Sequence, residues 1–446
     1  MTDESYADTI RRLDDLYHQP LTPYGQIGLR RINYLLGQLD NPQRSFRAVH
    51  VAGSSGKGST TTMIASVLQQ AGFRTGCFRS PHLETYNERI AVNDAPISYD
   101  KWVTTFEQVW PVVERMVGDN CDGYAGGRPS WFEVMFALAC IHFRAAGVEW
   151  ASLETGMGGR LDATNTVQPE VAVVTTVSLE HTQILGKTIR EIAGEKAAII
   201  KSGAEAVTSV EEAEALSVIR QRARDVGAHL WEIPRDVRPC ALERSLSGTF
   251  IDFHAGDARL RARLSLPGQY QWNNAAAAVA GVLALRRRGV DISDGAIVDG
   301  LETARFPGRM EVVSRNPLIV LDGAHHPAAM SALVASLDDL LPGRSLTVLF
   351  ASLSDKDRSA MTVPLAGRVQ RAIITRAPGT ERAADPAKVA RAFDGVAPEV
   401  TIIDDPAEAL DEAQRLMSPG GALIVCGSLY LVGFARTRLA TEEVRG

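Results

Sequence analysis

The 446-residue sequence lacks the features of a secreted, disulfide-stabilised or membrane-spanning chain. The five cysteines are scattered, odd in number and without metal-ligand spacing, and they are Cys77, Cys121, Cys140, Cys240 and Cys426. This usage favours a reducing compartment. The first residues are acidic and lack the basic-then-apolar order of a signal peptide. No apolar run approaches the ~20 residues needed to span a bilayer. We therefore expect a soluble, cytoplasmic protein with no membrane partner.

The sequence also lacks a basic charge balance. Its formal net charge is −6, and binding to a phosphate backbone needs clustered Lys and Arg, so a general nucleic-acid partner is not expected. A small anionic ligand needs only a local positive site and stays compatible with this charge. Hydrophobic residues make up 45% and charged residues 22%, which is ordinary globular composition. A chain of this length suits two domains better than one core.

The first part of the chain has the pattern of an α/β domain. The run Arg47–Ala52 predicts a buried strand, and the glycine-rich turn after it leads into a helical pattern that ends near Gly72. Capping boxes at Ser130 and Thr188 predict helices that reach Ala146 and Lys201, respectively. Other strands and hairpins are predicted over residues 75–79, 88–97, 149–154, 171–177 and 249–264, and a helix over 271–288.

From Pro317 onward, strands and helices alternate regularly. Strands are predicted near residues 318–322, 345–351, 371–375, 399–403 and 422–426. This alternation of strands and helices predicts a second α/β domain with a parallel sheet. The segment Phe306-Pro-Gly-Arg309 interrupts the pattern, so we predict two domains, 1–304 and 305–446.

Residues 53–60, hereafter the phosphate loop, read Gly-Ser-Ser-Gly-Lys-Gly-Ser-Thr and lie between a predicted strand and helix. Glycines let backbone N–H groups approach a phosphate closely, and the helix N-terminus adds a partial positive charge. Lys57 adds a full charge, and Ser59 is placed for a magnesium ion that bridges the phosphates. The loop therefore predicts ATP and Mg²⁺ as ligands. The predicted nucleotide-binding residues are Gly53, Gly56, Lys57, Gly58, Ser59 and Thr60.

Two further candidates for the metal follow predicted strands. Glu154 stands at the C-terminal end of one strand, where a carboxylate suits a hard Mg²⁺ ion, although a turn before glycines explains it equally well. His181 follows the next strand, and its neutral imidazole is either a second ligand or a structural loop residue. Lys196, considered alone, is an ordinary exposed lysine.

Together, the motifs resemble those of the folylpolyglutamate synthase/dihydrofolate synthase family of the Mur ligase superfamily. Besides the phosphate loop, the motifs are SPHL (80–83), LETGMGGRLDATN (153–165), SLEHTQILG (178–186), EKAAIIK (195–201), QWNNA (271–275), FPGR (306–309), DGAHHP (322–327), SLSDKD (352–357) and CGSLYLVG (426–433). The resemblance covers nearly the whole chain. It implies an N-terminal P-loop domain of the Mur ligase central type and a smaller C-terminal Rossmann-like α/β domain.

The resemblance also implies roles for individual residues. Ser59, Glu154 and His181 would hold magnesium, with Lys196 as a further ligand if it is carbamylated, a reaction that requires a lowered lysine pKa. Lys57, Lys196 and His325 would be catalytic. Asn274 would contact adenine, Arg309 the phosphates, and Asp322 a ribose hydroxyl or a basic partner. The implied substrate-binding residues are Ser80, Pro81, His82, Asp162 and Ser428.

Four positions depart from the usual family motifs. Ser54 and Ser55 replace Thr and Asn in the phosphate loop, Tyr270 replaces a histidine, and His326 replaces an asparagine. These departures leave room for altered substrate preference. They are also compatible with a second interpretation, a catalytically inactive paralogue that only binds nucleotide or folate.

The implied activity is ATP-dependent ligation of L-glutamate to a folate-type carboxylate through an acyl phosphate. Asp162 favours activity on both dihydropteroate and tetrahydrofolate, and we expect a monomer. The alternatives are a Mur-type ligase acting on a non-folate acid and a non-ligase P-loop ATPase. A Mur-type enzyme typically has a UDP-sugar-binding domain before its phosphate loop, and here the loop already begins at Gly53. A non-ligase ATPase would turn over ATP without glutamate and a pterin acid.

Overall fold

The computed structural model describes residues 3–17, 28–116 and 128–443; Met1 and Cys121 lie outside these ranges. The helices are α1 (Asp3–Tyr17), α2 (Arg30–Gln38), α3 (Lys57–Gln70), α4 (Tyr99–Arg115), α5 (Trp131–Ala145), α6 (Ile189–Ala197), α7 (Ala213–Val226), α8 (Tyr270–Arg287), α9 (Asp294–Thr303), α10 (Pro327–Leu340), α11 (Arg358–Thr362), α12 (Pro386–Ala390), α13 (Pro406–Arg415) and α14 (Leu429–Glu443). The strands are β1 (Arg47–Ala52), β2 (Thr75–Phe78), β3 (Ile90–Val92), β4 (Ala95–Pro96), β5 (Trp150–Glu154), β6 (Pro169–Val174), β7 (Glu205–Thr208), β8 (Leu230–Glu232), β9 (Arg238–Ser245), β10 (Gly248–Ala255), β11 (Ala258–Leu264), β12 (Glu311–Arg315), β13 (Leu318–Leu321), β14 (Leu346–Phe350), β15 (Val369–Ile374), β16 (Glu399–Ile402) and β17 (Ala422–Cys426).

The first sheet has eight strands in the order β4-β3-β2-β5-β1-β6-β7-β8. Strands β2, β5, β1, β6, β7 and β8 run parallel, and β3 and β4 form an antiparallel hairpin at one edge. The apolar, β-branched strands β1 and β6 are buried because helices cover both faces. Strand β1 therefore delivers the phosphate loop at the centre of the sheet, beside the C-terminal ends of β5 and β6.

The second parallel sheet has the order β12-β13-β17-β14-β15-β16, with β12 antiparallel at its edge. A separate antiparallel sheet of three strands, β11-β10-β9, packs on α8 and α9. The structure thus has the predicted mixed α/β architecture with two main sheets. The chain passes between them over residues 304–310, and the exact domain boundary at 304 stays a prediction.

Most predicted elements, including the hairpin at 249–264, occur within a few residues of their expected ends, but one helix end was wrong and one strand was not predicted. The second capping-box helix, α6, ends at Ala197 rather than Lys201, because Ile199 and Ile200 bond back over only three residues in a turn. The predicted hairpin at 249–264 is part of a three-stranded sheet. Its third strand, β9, is largely exposed and polar, so it has no apolar signature in the sequence.

The described helices include none that is long and apolar enough to cross a membrane.

Candidate active site

The phosphate loop connects the end of β1 to the start of α3 and is shaped by close packing. A Cβ at Gly53 would overlap the hydroxyl of Thr175, and one at Gly56 would overlap the amide of Asn274. Gly56 also has a φ of +83°, which favours glycine. The ammonium of Lys57 folds back over the loop and donates to the carbonyl of Gly53 at 2.8 Å. The loop and its lysine therefore form a compact group of N–H donors at a helix N-terminus, suited to an anionic phosphate.

The extra glycine of the loop, Gly58, lies under an aromatic ring from the linker between the two main sheets. A Cβ at this position would stand 2.5 Å from Cζ of Phe306 and 3.3 Å from Oε2 of Glu154. The same ring lies beneath the guanidinium of Arg309, with 5.1 Å between the ring centroid and Cζ. Gly58 thus lets Phe306 hold the linker arginine against the phosphate loop.

We predict that Gly58→Ala lowers kcat/KM by about 10- to 100-fold, because the added methyl group overpacks the contact with Phe306. The double variant Gly58→Ala/Phe306→Leu should recover much of this loss, since leucine leaves room for the methyl group. Steady-state kinetics of the two single variants and the double variant measure the coupling. Additive losses would show that the ring does not explain the glycine.

Glu154 ends β5 and joins the phosphate loop to the predicted substrate segment. Its Oε2 accepts a hydrogen bond from the backbone N–H of Ser80 at 2.9 Å. Burial raises the pKa of this carboxyl, while Lys57, the Ser80 N–H, Arg309 and Arg79 oppose the rise. The structure thus gathers Glu154, Ser80 and the phosphate loop at one edge of the sheet, as expected for the ends of parallel strands.

His181 and Lys196 both lie near enough to Lys57 for its charge to lower their pKa values. Burial lowers the pKa of His181, and Lys57 and Lys196 lower it further, while Glu180 opposes the shift. Lys196 is buried rather than exposed, and its ammonium forms an ion pair with Glu180. Burial lowers the pKa of Lys196 to about 8, against the opposing effect of Glu180. The expectation of an ordinary exposed lysine was wrong, and carbamylation of Lys196 stays a prediction.

Asp162 has all of its acceptor positions directed at its own segment. One oxygen accepts from the N–H groups of Gly156 and Met157, and the other from the N–H and hydroxyl of Thr164. The hydroxyl of Thr164 also contacts Nε2 of the fully buried His50 at 2.7 Å. Because the Thr164 proton is given to Asp162, His50 must donate from Nε2, and its Nδ1 has no partner in the described part of the chain. The structure thus places Asp162 in the glycine-rich turn; contact with a pterin stays a prediction.

The buried His50 predicts acid sensitivity. Burial lowers its pKa from 6.5 to about 3, with Lys201 adding to the shift. The folded state therefore keeps His50 neutral while the unfolded state binds a proton below pH 6.5, so its stabilisation is lost as the pH falls from 6.5 toward 3. The slope is about 1.4 kcal/mol per pH unit. His50→Gln should reduce the loss of unfolding free energy between pH 7 and 5.5 by about 1 kcal/mol, measured by urea denaturation. Parallel pH profiles would contradict this assignment.

The predicted substrate segment begins at Ser80 and continues to Glu88 as a closed loop, hereafter the acceptor loop. The carboxylate of Glu88 accepts from three backbone N–H groups of the loop. Nδ1 of His82 accepts from Nε of Arg89 at 2.9 Å, so Nε2 carries the proton. Burial, with Arg89 next, lowers the pKa of His82 to about 3. His82 is therefore a neutral hydrogen-bond donor, held in one orientation for a ligand.

Asp322 ends β13 and meets a residue from the other main domain. Its carboxylate accepts from the hydroxyl of Tyr270 at 3.0 Å and from the N–H groups of Met310 and Ala324. Burial raises the pKa of Asp322, and the charge of Arg309 is the largest opposing effect. The departure at Tyr270 thus has a structural role, since its phenol links α8 to Asp322.

One ring nitrogen of His325, Nε2, has no hydrogen-bond partner among the described residues. Its Nδ1 lies 2.7 Å from the carbonyl of Gly323 and donates to it, which leaves Nε2 as an acceptor. Burial lowers the pKa of His325 to about 4, so the ring is neutral at pH 7. The neighbouring His326 caps α10 by accepting from the N–H of Ala329, a role that an asparagine also fills.

The remaining two predicted site residues, Ser428 and Asn274, differ in their hydrogen bonding. The hydroxyl of Ser428, directly before α14, is buried and has no partner in the described ranges. Asn274 lies beside Gly56, and its amide nitrogen donates to Oε1 of Gln271. The structure thus places Asn274 against the phosphate loop; its contact with adenine stays a prediction.

Comparisons with known proteins agree with this geometry. Two family models match the chain, the Mur ligase middle domain over residues 132–282 and the Mur ligase glutamate ligase domain over 308–429. A dihydrofolate synthase/folylpolyglutamate synthase from Bacillus subtilis is 39% identical over 74% of this chain and 76% of its own length. The folylpolyglutamate synthase of Mycobacterium tuberculosis, solved with ADP, superposes with a TM-score of 0.89 at 30% identity and covers 98% of both chains.

The chain belongs to the folylpolyglutamate synthase/dihydrofolate synthase family. The family and fold predicted from the sequence are confirmed, and this synthase is an ATP-dependent ligase. A probable bifunctional folylpolyglutamate synthase/dihydropteroate synthase from Haloferax volcanii is 36% identical, and the present chain spans 50% of its length.

Ser59 and Glu154 lie near each other at the start of α3 and have donor types that suit a magnesium ion, while a metal site that also includes His181 stays a prediction. Glu154 keeps one oxygen apart from its bond to Ser80, and it lies beside Gly58 at the start of α3. Ser59, buried in the first turn of that helix, adds a hydroxyl oxygen, and His181 would add an imidazole of lowered pKa. Hard oxygen donors with a lysine nearby suit a cation that shares phosphate ligands.

Sequence reasoning missed several residues of the synthase site. Glu180 pairs with Lys196, and Phe306 separates Gly58 from the linker arginine. Lys356, in the SLSDKD motif, lowers the pKa of both His181 and His325, so it lies near both. The motif was noticed in the sequence, but no spacing rule predicts that a charge in one domain faces histidines from both.

Proposed function

We propose that this synthase joins L-glutamate to the carboxylates of dihydropteroate and tetrahydrofolate, with ATP and Mg²⁺. The observation that carries the proposal is one charge network between the two main domains. Arg309 stacks on Phe306 beside the phosphate loop, and its charge opposes the rise that burial causes in the pKa of both Glu154, beside the loop, and Asp322 in the second domain. A nucleotide on the loop would therefore face the second domain across a narrow cleft. The relatives solved with ADP support ATP as the phosphoryl donor.

The first step of the proposed reaction activates the acid. A carboxylate oxygen of the pteroyl substrate attacks the γ-phosphorus of ATP, the bond to the β,γ-bridging oxygen breaks, and ADP leaves. Lys57 and Arg309 stabilise the charge on the transferring phosphoryl group. A magnesium ion held by Ser59, Glu154 and His181 would supply further neutralisation of that charge.

The second step forms the amide. The amino group of glutamate attacks the acyl carbon, and inorganic phosphate leaves. The amine attacks in its neutral form, and Nε2 of the neutral His325, left as an acceptor when Nδ1 donates to Gly323, can orient it by accepting a hydrogen bond from its N–H. The unpaired hydroxyl of Ser428 can donate to a glutamate carboxylate at the N-terminus of α14. The buried walls of the cleft limit hydrolysis of the acyl phosphate by excluding water.

We expect the synthase to act as a cytoplasmic monomer. Cys77, Cys140 and Cys426 are buried and unpaired, which agrees with a reducing compartment.

A phosphate-release assay tests the proposed function. Phosphate should appear only when ATP, Mg²⁺, L-glutamate and one acceptor are all present, and both dihydropteroate and tetrahydrofolate should serve as acceptors. Each phosphate should match one new amide bond, measured by mass spectrometry of the product. Phosphate release without glutamate or acceptor would favour a simple ATPase instead.

A further inference from the structure

A cavity lies beside the phosphate loop, but no residue of that loop lines it. It has a volume of about 360 Å³, and its lining comes from the acceptor loop, the β3–β4 hairpin, the linker and α14. The ring of Phe306 stands between this cavity and Gly58. Its size is at the small end of the range for small-molecule sites. A ligand here would therefore be a neighbour of the nucleotide and not part of it.

Four arginines line the cavity; Arg436 pairs with Glu84 and Glu311, whereas the other three form no direct ion pair within the described part of the chain. Arg79 donates to the hydroxyl of Thr62 and the carbonyl of Glu88, and Arg305 donates to two main-chain carbonyls. Arg309 donates to the carbonyl of Gly308. Each of these hydrogen bonds, made among the described residues, goes to a neutral oxygen. Arg79 is only 9% exposed, and a buried guanidinium without a carboxylate normally has an anionic partner.

The acidic residues of the cavity are occupied or too far away to fill this role. Glu88 holds the backbone of the acceptor loop, and Glu84 accepts from Arg436 and Thr437 of α14. Asp94 is near enough for Arg79 and Arg305 to lower its pKa against the larger effect of burial, but it forms no ion pair with either in the described ranges. The cavity is thus suited to carboxylates that a ligand brings.

The arginines are arranged from the floor of the cavity to its rim. Arg79 is buried, Arg309 is partly exposed, and Arg305 is exposed. Leu83, Phe306 and Leu429 add apolar wall between them, which suits methylene groups. A chain of γ-linked glutamates has this alternation of carboxylates and methylenes, and it would begin at the acceptor loop.

We propose that this cavity binds the α-carboxylates of glutamyl residues already present on the acceptor, a role that rests on the proposed function. Dihydropteroate has no glutamyl residue and makes no use of the cavity. Tetrahydrofolate has one, and each further round of ligation adds another. The cavity therefore selects for acceptors that carry a tail.

Arg305→Gln tests the proposal at the exposed rim, where misfolding is not expected. Removing one charge-assisted contact should raise KM for tetrahydropteroyl di- and triglutamate about 10-fold more than KM for dihydropteroate. Arg79→Gln should give a larger ratio if it folds. Arg315→Gln, an exposed arginine at the end of β12 outside the cavity, is the matched control and should change no KM value.

The outcomes separate this proposal from the proposed function. Three results for Arg305→Gln would overturn the assignment of the cavity to glutamyl tails, while the wild-type protein still ligated its acceptors. They are an equal rise in KM for all acceptors, a rise in KM for L-glutamate alone, and no change in any KM value. A wild-type protein that ligated none of the acceptors would instead refute the proposed function. In that case, direct binding of tetrahydropteroyl triglutamate by calorimetry, with and without Arg305→Gln, still decides whether the cavity recognises the tail.

Discussion

Replacing Lys57 with alanine should lower kcat for amide formation by about 1000-fold. The ammonium folds over the phosphate loop and lies near both Glu154 and His181: its charge opposes the rise that burial causes in the pKa of Glu154 and adds to the fall that burial causes in the pKa of His181. It is therefore placed to stabilise the charge that develops on a transferring phosphoryl group, and the loss of one such preorganised donor costs about 10²–10³ in kcat. Steady-state ligation with saturating ATP, glutamate and tetrahydrofolate measures the effect.

The Lys57 variant should fold normally, because the hydrogen bonds of the Lys57 ammonium go only to the carbonyls of Gly53 and Ser54 in its own loop and the side chain is only partly buried. Lys187→Ala, an exposed lysine after the Glu180–His181 loop, is the matched control and should retain full activity. Circular dichroism and the thermal midpoint check the fold of both. Normal turnover by folded Lys57→Ala would remove the phosphate loop from the mechanism.

Replacing Glu154 with glutamine should raise the magnesium concentration for half-maximal activity by at least about 10-fold and lower kcat. A neutral amide keeps the shape of the side chain but loses the charge that a hard cation prefers. His181→Ala should shift the magnesium requirement in the same direction. Initial rates across a magnesium titration at saturating ATP provide the measurement.

Glu107→Gln, an exposed carboxylate on α4 far along the chain from the loop, serves as the matched control for Glu154. It should leave the magnesium titration unchanged. If Glu154→Gln and His181→Ala both titrated like the wild type, the metal would bind elsewhere.

Much of the fold could be predicted because local signals agreed with the tertiary structure. The run Arg47–Ala52 is buried on both faces and ends at a glycine, so its strand and the following helix had an unambiguous pattern. The capping box at Ser130 is formed as the sequence predicts, with Glu133 bonded back to it. By contrast, β9 and the antiparallel edge strand β12 pair with the strands that follow them directly, but both are exposed or only half-buried and so lack a clear apolar pattern.

The candidate site could be predicted from the sequence only where the residue types of a motif and its place after a strand indicated the function. Glu154 and the phosphate loop follow neighbouring parallel strands, so their proximity follows from topology. The neighbouring residues that determine the protonation state of each site residue are harder to predict from the sequence. Lys196 is buried only because Glu180, sixteen residues earlier in the chain, is folded against it. Tyr270 and Asp322 meet only through packing of the two main domains.

The central claim is that the acceptor carboxylate attacks the terminal phosphate of ATP. The most direct test uses dihydropteroate labelled with ¹⁸O in its carboxylate, with ATP, Mg²⁺ and L-glutamate, and mass analysis of the released phosphate. The account predicts that one ¹⁸O atom passes into each phosphate, because the attacking oxygen leaves with phosphorus when the amide forms. Phosphate without the label, formed together with the amide product, would contradict it.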